Sequence, residues 1–380
     1  MDFFLLLAFI YAITLVLGLI LERVRLPWIF ATLLLGFLCS NFIKVPEKEF
    51  SQFAILGMYF LLFIIGFEID LRKLVRESKF ILTASLLIIL TEGIFGSLLV
   101  RYLFNLDWIV CFIVGLSFAT VGEAVLVPIL EEFRIIRTKL GTSIIGIGTL
   151  DDIIEVFTLV LATALVGSGF TKINPIVPFL SLSFLFLLTF FLSKLKRESK
   201  KFRIFPVEII FLITMLLFFV FLGIGEFGGA EAIAALLAGI SARNFIPRER
   251  LKFIESEIKS VCYGLFAPIF FFWLGLTTDL SYLLLNPLIL LFFLLVTGAS
   301  KILSSMLIGY KKLGLRNSFL LGLGLCVRFS TSLVIAKYLL ENQIIPSSLY
   351  SVLIASTTLF TLTTPLIFSF LLSKWKRFVY

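Results

Sequence analysis

The chain has 380 residues, of which 60% are hydrophobic and 45 are Phe, and its mean hydropathy is +1.12. Globular domains are roughly half apolar, so this composition excludes an ordinary soluble protein and indicates a membrane protein. The net charge of +9 comes from basic segments between the apolar ones, which explains the charge without a nucleic-acid partner.

Apolar segments of roughly 14 to 28 residues follow one another along the whole chain, and most are long enough to cross a bilayer as helices. We predict an all-α membrane protein with about thirteen transmembrane helices. In chain order, the predicted helices are Phe3–Ile20, Trp28–Ile43, Phe53–Phe67, Phe80–Phe104, Trp108–Leu130, Thr142–Val166, Ile173–Leu192, Val207–Leu222, Gly228–Ser241, Ile258–Leu276, Tyr282–Gly309, Phe319–Leu339 and Ser347–Leu372.

Lys and Arg are concentrated in alternate loops, for example in Lys194–Arg203 and Arg243–Lys259. By the positive-inside rule these loops face the cytoplasm. With an odd number of helices, the N-terminus is then outside and the C-terminus is cytoplasmic. We therefore predict a multi-pass protein of the cell (inner) membrane, with the lipid bilayer as its surroundings.

The two halves of the chain share motifs at a single offset. The pattern Gly-x-x-x-Asp-Leu occurs at Gly66–Leu71 and again at Gly275–Leu280, 209 positions later (275 less 66). The same offset connects Gly115-Leu116 to Gly324-Leu325 and Glu92 to Lys301. The first motif ends a helix that runs inward and the second ends one that runs outward, so the repeats are inverted. Inverted repeats are typical of secondary transporters, whose ion site lies near the midplane where the repeats meet.

The predicted helices Trp108–Leu130 and Phe319–Leu339 contain small, hydroxyl-bearing and charged residues at corresponding places, Ser117–Glu123 and Cys326–Ser332. Such residues either weaken a regular helix or allow close helix packing. Non-helical backbone is tolerated at this depth only where it is buried or lines a cavity. In two interrupted helices, we expect Glu123 to neutralise a positive half-helix end and Arg328 to neutralise a negative one.

Two adjacent acids, Asp151 and Asp152, lie in the apolar stretch Gly141–Val166, and Glu155 follows one turn later. A carboxylate in the membrane is costly unless it faces water or a partner, so these residues indicate a functional site. Helical spacing puts Asp151 and Glu155 on one face and turns Asp152 away by about 100°. The neighbouring acids can therefore have different roles.

A small hard cation such as Na⁺ prefers oxygen ligands. Asp152, the Thr120 hydroxyl and carbonyl groups near Thr120 would supply them, so we predict a Na⁺ site there. Two carboxylates held close together do not both ionise easily, which allows one of them to bind either a proton or a cation. Lys301 is the expected counter-charge of Asp151, and release of its proton would couple proton flow to cation flow.

Several segments together resemble one family, the monovalent cation:proton antiporters of the Kef/NapA type. They are Phe67–Lys73, Thr149-Leu-Asp-Asp152, Lys301, and Leu321-Gly-Leu-Gly-Leu-Cys-Val-Arg328 with Ser332–Ala336. The resemblance implies the sodium/proton antiporter fold in a homodimer that works by an elevator-like motion. It further implies that Asp152 is the main cation and proton carrier and that Asp151 pairs with Lys301. A paired-acid motif is similar to that of electrogenic members, which move more than one proton per cation.

The resemblance also implies a division of the chain. It assigns residues 1–76 and 204–280 to the dimer side, residues 77–169 and 281–380 to a moving core, and residues 170–203 to a linker helix. Two departures stand out. Val327-Arg-Phe-Ser330 replaces a Pro-Arg-Gly-Glu sequence of many relatives, and Glu123 is an acid where many have a small or apolar residue.

Other functions stay open at this point. A K⁺/H⁺ antiporter would use the same residues, and an ion channel or sensor could use the same scaffold. An enzyme is not expected, because an intramembrane aspartyl protease needs acids on two facing helices, whereas Asp151 and Asp152 are neighbours. The four cysteines lack metal-ligand spacing and the chain has no histidine, so we expect no disulfide, transition-metal site or cofactor.

Overall fold

The helices follow the apolar segments of the sequence. A computed structural model describes residues 3–23, 26–40, 47–68, 79–122, 126–169, 176–194, 206–246, 248–328 and 331–375. No strand occurs in these ranges, which confirms the predicted all-α class. The α-helices are α1 (Phe3–Arg23), α2 (Phe30–Cys39), α3 (Glu47–Glu68), α4 (Lys79–Phe104), α5 (Trp108–Phe118), α6 (Val127–Glu132), α7 (Lys139–Gly169), α8 (Ile176–Lys194), α9 (Val207–Glu226), α10 (Glu231–Phe245), α11 (Arg248–Lys259), α12 (Ala267–Leu276), α13 (Leu280–Leu285), α14 (Pro287–Leu313), α15 (Leu315–Gly324), α16 (Thr331–Glu341) and α17 (Ser347–Trp375).

Within the described ranges, seven helices are long and apolar enough to cross a membrane. They include α1, α4, α14 and α17, and the shorter apolar segments Phe30–Cys39, Trp108–Phe118 and Leu180–Leu192 add to them. The protein is therefore a multi-pass membrane protein. The total of thirteen spans stays a prediction.

Two predicted spans are composed differently in the structure. The predicted helix Ile258–Leu276 starts earlier, because α11 begins at Arg248 and continues through a π-helical turn, Ser260–Phe266, into α12. The predicted helix Tyr282–Gly309 is divided into α13 and α14 because Pro287 starts a new helix. Proline is favoured at the first helical position, where its missing N–H costs no hydrogen bond.

The chain divides into two compact units, and the first consists of Met1–Thr14, Thr32–Ile69 and Leu159–Trp273. Its helices α3 and α10 approach closely at two glycines. A Cβ added at Gly66 would overlap the Leu236 carbonyl oxygen, and one added at Gly239 would overlap that of Phe63. Small residues allow such close backbone contact between membrane helices. Beside them, the ring of Phe60 stacks on Phe266 with a centroid distance of 4.4 Å.

The second unit consists of Leu15–Ala31, Asp70–Thr158 and Leu274–Tyr380 and contains the sequence repeat. The offset of 209 moves α4 onto residues 288–313, and the structure has α14 at Pro287–Leu313. It likewise moves the start of α7 onto residue 348, and α17 begins at Ser347. The repeat inferred from scattered motifs therefore extends to the helix bounds.

Both predicted interruptions occur. Helix α5 ends at Phe118 and α6 begins at Val127, while α15 ends at Gly324 and α16 begins at Thr331. The hydroxyls of Ser117 and Thr120 donate to the carbonyls of Val114 and Ser117, 2.9 Å away in each case. Such local bonds give the backbone an alternative to the helix. The two breaks contact each other, because the Gly122 N–H donates to the Val327 carbonyl at 2.8 Å.

The predicted division of the chain into dimer side, linker and core is not tested by these two units, and it stays a prediction.

Candidate ion-binding site

Three charged side chains meet inside the second unit, and none is exposed to solvent. Glu92 comes from the middle of α4, Lys301 from the middle of α14, and Arg328 from the break that follows α15. Glu92 Oε2 lies 2.9 Å from Lys301 Nζ, and Glu92 Oε1 accepts a hydrogen bond from Arg328 Nη2. One buried carboxylate thus forms ion pairs with two cations. Buried charges are tolerated only when paired in this way.

Lys301 also binds the end of a half-helix. Its Nζ donates to the Ala119 carbonyl at 2.7 Å and lies 3.5 Å from the Thr120 carbonyl. These carbonyls follow the last residue of α5, where a helix carries its negative partial charge. The ammonium group is therefore held by one carboxylate and by the backbone of the first break.

Arg328 is enclosed by aromatic rings. Its guanidinium carbon lies 3.9 Å from the ring centroid of Phe118 and 4.3 Å from that of Phe360. Within the described part of the chain, its Nε and Nη1 have no hydrogen-bond partner. The two ring faces attract the cation where hydrogen bonds are missing. The Arg328 carbonyl accepts a hydrogen bond from the Thr361 hydroxyl, which fixes the second break to α17.

The contacts of the network are related by the repeat. The offset of 209 relates Glu92 to Lys301 and Ala119 to Arg328. The contact between Lys301 and the Ala119 carbonyl is therefore the repeat counterpart of the contact between Glu92 and Arg328. A two-fold pseudo-axis between inverted repeats produces such reciprocal pairs, and it makes the Glu92–Lys301 pair a contact between equivalent positions.

Asp151 lies at the first break. Its side chain is fully buried, and its Oδ2 accepts a hydrogen bond from the Val121 N–H. Glu155, one turn later on α7, is 4% exposed, and Thr120 is 1% exposed. The structure thus brings Asp151, Thr120 and Lys301 to the same break, since all three contact residues 117–121.

The structure does not describe the side chains of two predicted site residues. Residue 152 belongs to α7, but the Asp152 side chain is not among the described ones, and Glu123 lies between the described ranges. The predicted Na⁺ ligands Asp152 and Thr120 therefore stay a prediction, as does the role of Glu123 at a half-helix end.

One predicted pairing differs from the structure. Among the described side chains, the carboxylate that pairs with Lys301 is Glu92 rather than the predicted Asp151, because α4 packs against α14 and presents Glu92 at the equivalent repeat position. The Arg328 guanidinium contacts Glu92, and the negative end of α5 is contacted by Lys301, so the expected role of Arg328 at a negative half-helix end stays a prediction. Glu92 was not among the predicted site residues, although its offset to Lys301 was the available signal.

The comparisons with known proteins agree with this architecture. The profile of the family described as "Sodium/hydrogen exchanger, transmembrane" matches residues 8–374. The chain belongs to this family.

Two similar proteins have nearly the same length. The "Probable Na(+)/H(+) antiporter 3" of Methanocaldococcus jannaschii is 27% identical over 360 residues, which cover 92% of this chain and 91% of that protein. The "Na(+)/H(+) antiporter" of Enterococcus hirae is 26% identical over 387 residues, with coverages of 98% and 99%. A more distant match is the glutathione-regulated potassium-efflux protein KefC of Escherichia coli, which is 26% identical over 69% of this chain and 44% of its own length.

Among solved structures, the sodium proton antiporter MjNhaP1 of Methanocaldococcus jannaschii is similar in fold, with a TM-score of 0.66. The match covers 97% of this chain and 100% of that one at 19% sequence identity. This similarity confirms the predicted sodium/proton antiporter fold.

Proposed function

We propose that the protein is a secondary active transporter that exchanges Na⁺ for protons across the membrane. The observation that carries the proposal is the buried network of Glu92, Lys301 and Arg328, which joins the two helix breaks beside Asp151. A structural membrane protein has little reason to bury so many charges at this depth. Membership of the exchanger family and the relatives described as Na⁺/H⁺ antiporters support the same function.

The charges of the site favour exchange over simple binding. Glu92 and Asp151 balance Lys301 and Arg328, so these four groups together carry no net charge. The next residue on α7, Asp152, adds a further carboxylate. A proton or a Na⁺ ion can neutralise it, but not both at once, and this competition couples the two flows. We therefore keep Asp152 as the main carrier, with Thr120 and nearby backbone carbonyls as further Na⁺ ligands.

The geometry also assigns a role to Lys301. Since its ammonium pairs with Glu92 and donates to the Ala119 carbonyl, loss of its proton would weaken its contacts with both α4 and the first break. We propose that Lys301 acts mainly as a fixed charge and that Asp151 and Asp152 exchange protons. Two proton-carrying acids fit an electrogenic exchange of more than one proton per cation.

Further parts of the proposal concern the assembly and its surroundings. We propose a homodimer in the cell (inner) membrane, with the N-terminus outside and the C-terminus in the cytoplasm, in agreement with the basic loops. We propose alternating access by an elevator-like motion of the core. The substrates are then a monovalent cation and protons.

K⁺/H⁺ exchange is the second candidate. The match to the potassium-efflux protein KefC favours it, although that match is confined to 44% of KefC. Na⁺ and K⁺ use the same kinds of oxygen ligand and are distinguished by cavity size and flexibility.

Proteoliposomes test the proposal. Vesicles that contain the full chain and a pH-sensitive dye receive a pH gradient, and Na⁺, Li⁺ or K⁺ is then added. We expect Na⁺ to drive proton movement in the wild type and in Asp107→Asn, an exposed aspartate before α5 that serves as control. Asp152→Asn should abolish it. Proton movement driven only by K⁺ would select the second candidate, and an active Asp152→Asn would remove the proposed carrier.

A further inference from the structure

A basic cavity of about 410 Å³ lies at one end of the second unit, away from the ion site. It is formed where α4 and α7 begin and α14 ends. Its lining includes three exposed lysines, Lys139, Lys311 and Lys312, and the hydroxyls of Thr142 and Ser143. None of the described residues that line it is acidic. The cavity therefore suits a compact anion.

The ammonium groups are the donors that the cavity offers. The Thr142 and Ser143 hydroxyls already donate to the carbonyls of Thr138 and Lys139, at 2.8 and 2.6 Å. Lys312 Nζ lies 4.7 Å from the ring centroid of Phe80, which limits the positions of its side chain. The N-terminus of α7 adds a positive partial charge on the same side.

A separate apolar groove lies between α4 and α14, two of the helices that form the cavity. It has a volume of about 570 Å³ and is lined on α4 by Leu87 and Phe95 and on α14 by Leu303, Leu307 and Ile308. Ile308 precedes Lys311 by three residues, which is about one helical turn. Leu307 is 82% exposed, and both helices are long and apolar enough to cross the membrane. The groove therefore opens toward the acyl chains of the bilayer.

We propose that this cavity and groove together bind one anionic phospholipid. The phosphate would lie among Lys139, Lys311 and Lys312, and an acyl chain would fill the groove between α4 and α14. A soluble phosphate would use the cavity alone and leave the groove unexplained. Lys139, Lys311 and Lys312 belong to the alternate basic loops that the positive-inside rule predicts to be cytoplasmic, the side on which anionic lipids attract Lys and Arg.

The groove reaches the helix turns that carry the ion-site network. Thr91 and Ser300 line it, and they precede Glu92 and Lys301 in the sequence. A lipid in the groove would therefore support the packing of α4 against α14, on which the Glu92–Lys301 pair depends. This effect on transport rests on the proposed function, whereas the binding itself does not.

Native mass spectrometry of the full chain tests the binding directly. The protein is reconstituted in phosphatidylcholine with a fraction of phosphatidylglycerol, and the number of phosphatidylglycerol molecules that it retains is counted. We expect one strongly retained molecule. Because each basic residue near an anionic surface strengthens binding about fivefold, Lys311→Gln with Lys312→Gln should weaken retention about 25-fold. The double variant Lys252→Gln with Lys374→Gln, at two exposed lysines elsewhere, is the control and should retain the lipid.

Two further experiments distinguish lipid binding from the binding of other ligands. Ala299→Phe introduces a ring into the groove and should reduce retention with all three lysines present. Inorganic phosphate at millimolar concentration should not displace the lipid. Equal retention in the wild type and in the Lys311/Lys312 variant would overturn the proposal, and so would displacement by phosphate or an unaffected Ala299→Phe. Lipid retention is measured independently of transport, so a negative result in the exchange assay does not affect it.

Discussion

The two repeats of the second unit have nearly the same helix bounds but opposite chemistry at their equivalent positions. The first repeat supplies Glu92 and Asp151, and the offset of 209 replaces them with Lys301 and Phe360 in the second. Glu92 and its own counterpart Lys301 contact each other, as expected where inverted repeats meet at a pseudo-two-fold axis. A buried ion pair thus forms between the two repeats because one repeat has an acid and the other a base at the same position.

The two helix breaks differ in how they hold charge. At the first break a carboxylate, Asp151, accepts a hydrogen bond from the Val121 backbone. At the second break a guanidinium, Arg328, lies between the rings of Phe118 and Phe360 and meets Glu92. A carboxylate can be neutralised either by a proton or by a cation, whereas an arginine stays charged. We therefore expect the first repeat to carry the transported ions and the second to provide the fixed charge.

The largest effect on stability and transport is expected from a substitution of Glu92, the residue that joins the repeats. Glu92→Gln leaves Lys301 and Arg328 buried without their carboxylate, which should lower the free energy of unfolding by about 3–5 kcal/mol. It should also abolish exchange. Chemical denaturation in bicelles measures the first effect, and the proteoliposome assay measures the second.

Glu255→Gln is the matched control for this change. Its carboxylate also pairs with a lysine, Lys259, but both side chains are partly exposed and Lys259 keeps Glu68 as a second partner. The expected loss is below about 1 kcal/mol. If Glu92→Gln were no less stable than this control, the bridging role of Glu92 would be wrong.

Equivalent glycines offer a direct comparison of the two repeats. A Cβ at Gly115 would overlap the Gly93 carbonyl oxygen and lie 2.7 Å from the Ser97 nitrogen. At its counterpart Gly324, a Cβ would meet only side-chain atoms, of Leu126 at 3.1 Å and Phe368 at 3.3 Å. Backbone atoms cannot move aside as side chains do, so Gly115→Ala should cost about 3 kcal/mol of stability and Gly324→Ala less than about 1 kcal/mol.

Thermal unfolding of the two variants side by side measures this difference, and each variant serves as the control of the other. Equal losses would mean that α5 and α15 pack alike and that the repeats differ only in charge.

Much of the fold could be predicted from the sequence. The lengths of the apolar segments define most of the helices, and the offset between Gly115 and Gly324 locates both breaks, because small residues in mid-span are rare in a regular membrane helix. The offset relates Glu92 to Lys301 but does not show that the two side chains touch. Glu92 and Asp151 are both acids at membrane depth, and the choice between them depends on how α4 packs against α14.

The contact of Arg328 with two aromatic rings could not be predicted from the sequence either. Phe118 and Phe360 are two of 45 phenylalanines, and nothing in their sequence context distinguishes them from the others. Only the contact geometry distinguishes the two rings that face the guanidinium from the rings that face the bilayer.

Removal of one of the two rings around Arg328 should have an intermediate effect on stability. Phe360→Leu removes one ring face from Arg328, and a desolvated cation–π contact contributes about 2 kcal/mol to stability. We expect the free energy of unfolding to fall by about that amount and exchange to continue at a reduced rate. Phe370→Leu, at a ring on the same helix that is 65% exposed, should change neither quantity. Equal stability of the two variants would show that Glu92 alone holds the guanidinium.

The smallest effect is expected at the counterpart of Asp152. The offset relates Asp152 to Thr361, whose hydroxyl donates to the Arg328 carbonyl at the second break. Thr361→Val keeps the shape of the side chain and removes this hydrogen bond, so it should lower the free energy of unfolding by about 1 kcal/mol without abolishing exchange. Thr363→Val is the control, because its exposed hydroxyl donates only within its own helix, to the Leu359 carbonyl at 2.6 Å. If Thr361→Val abolished exchange as completely as Asp152→Asn, both repeats would carry ions, and the division between a transporting repeat and a fixed one would fail.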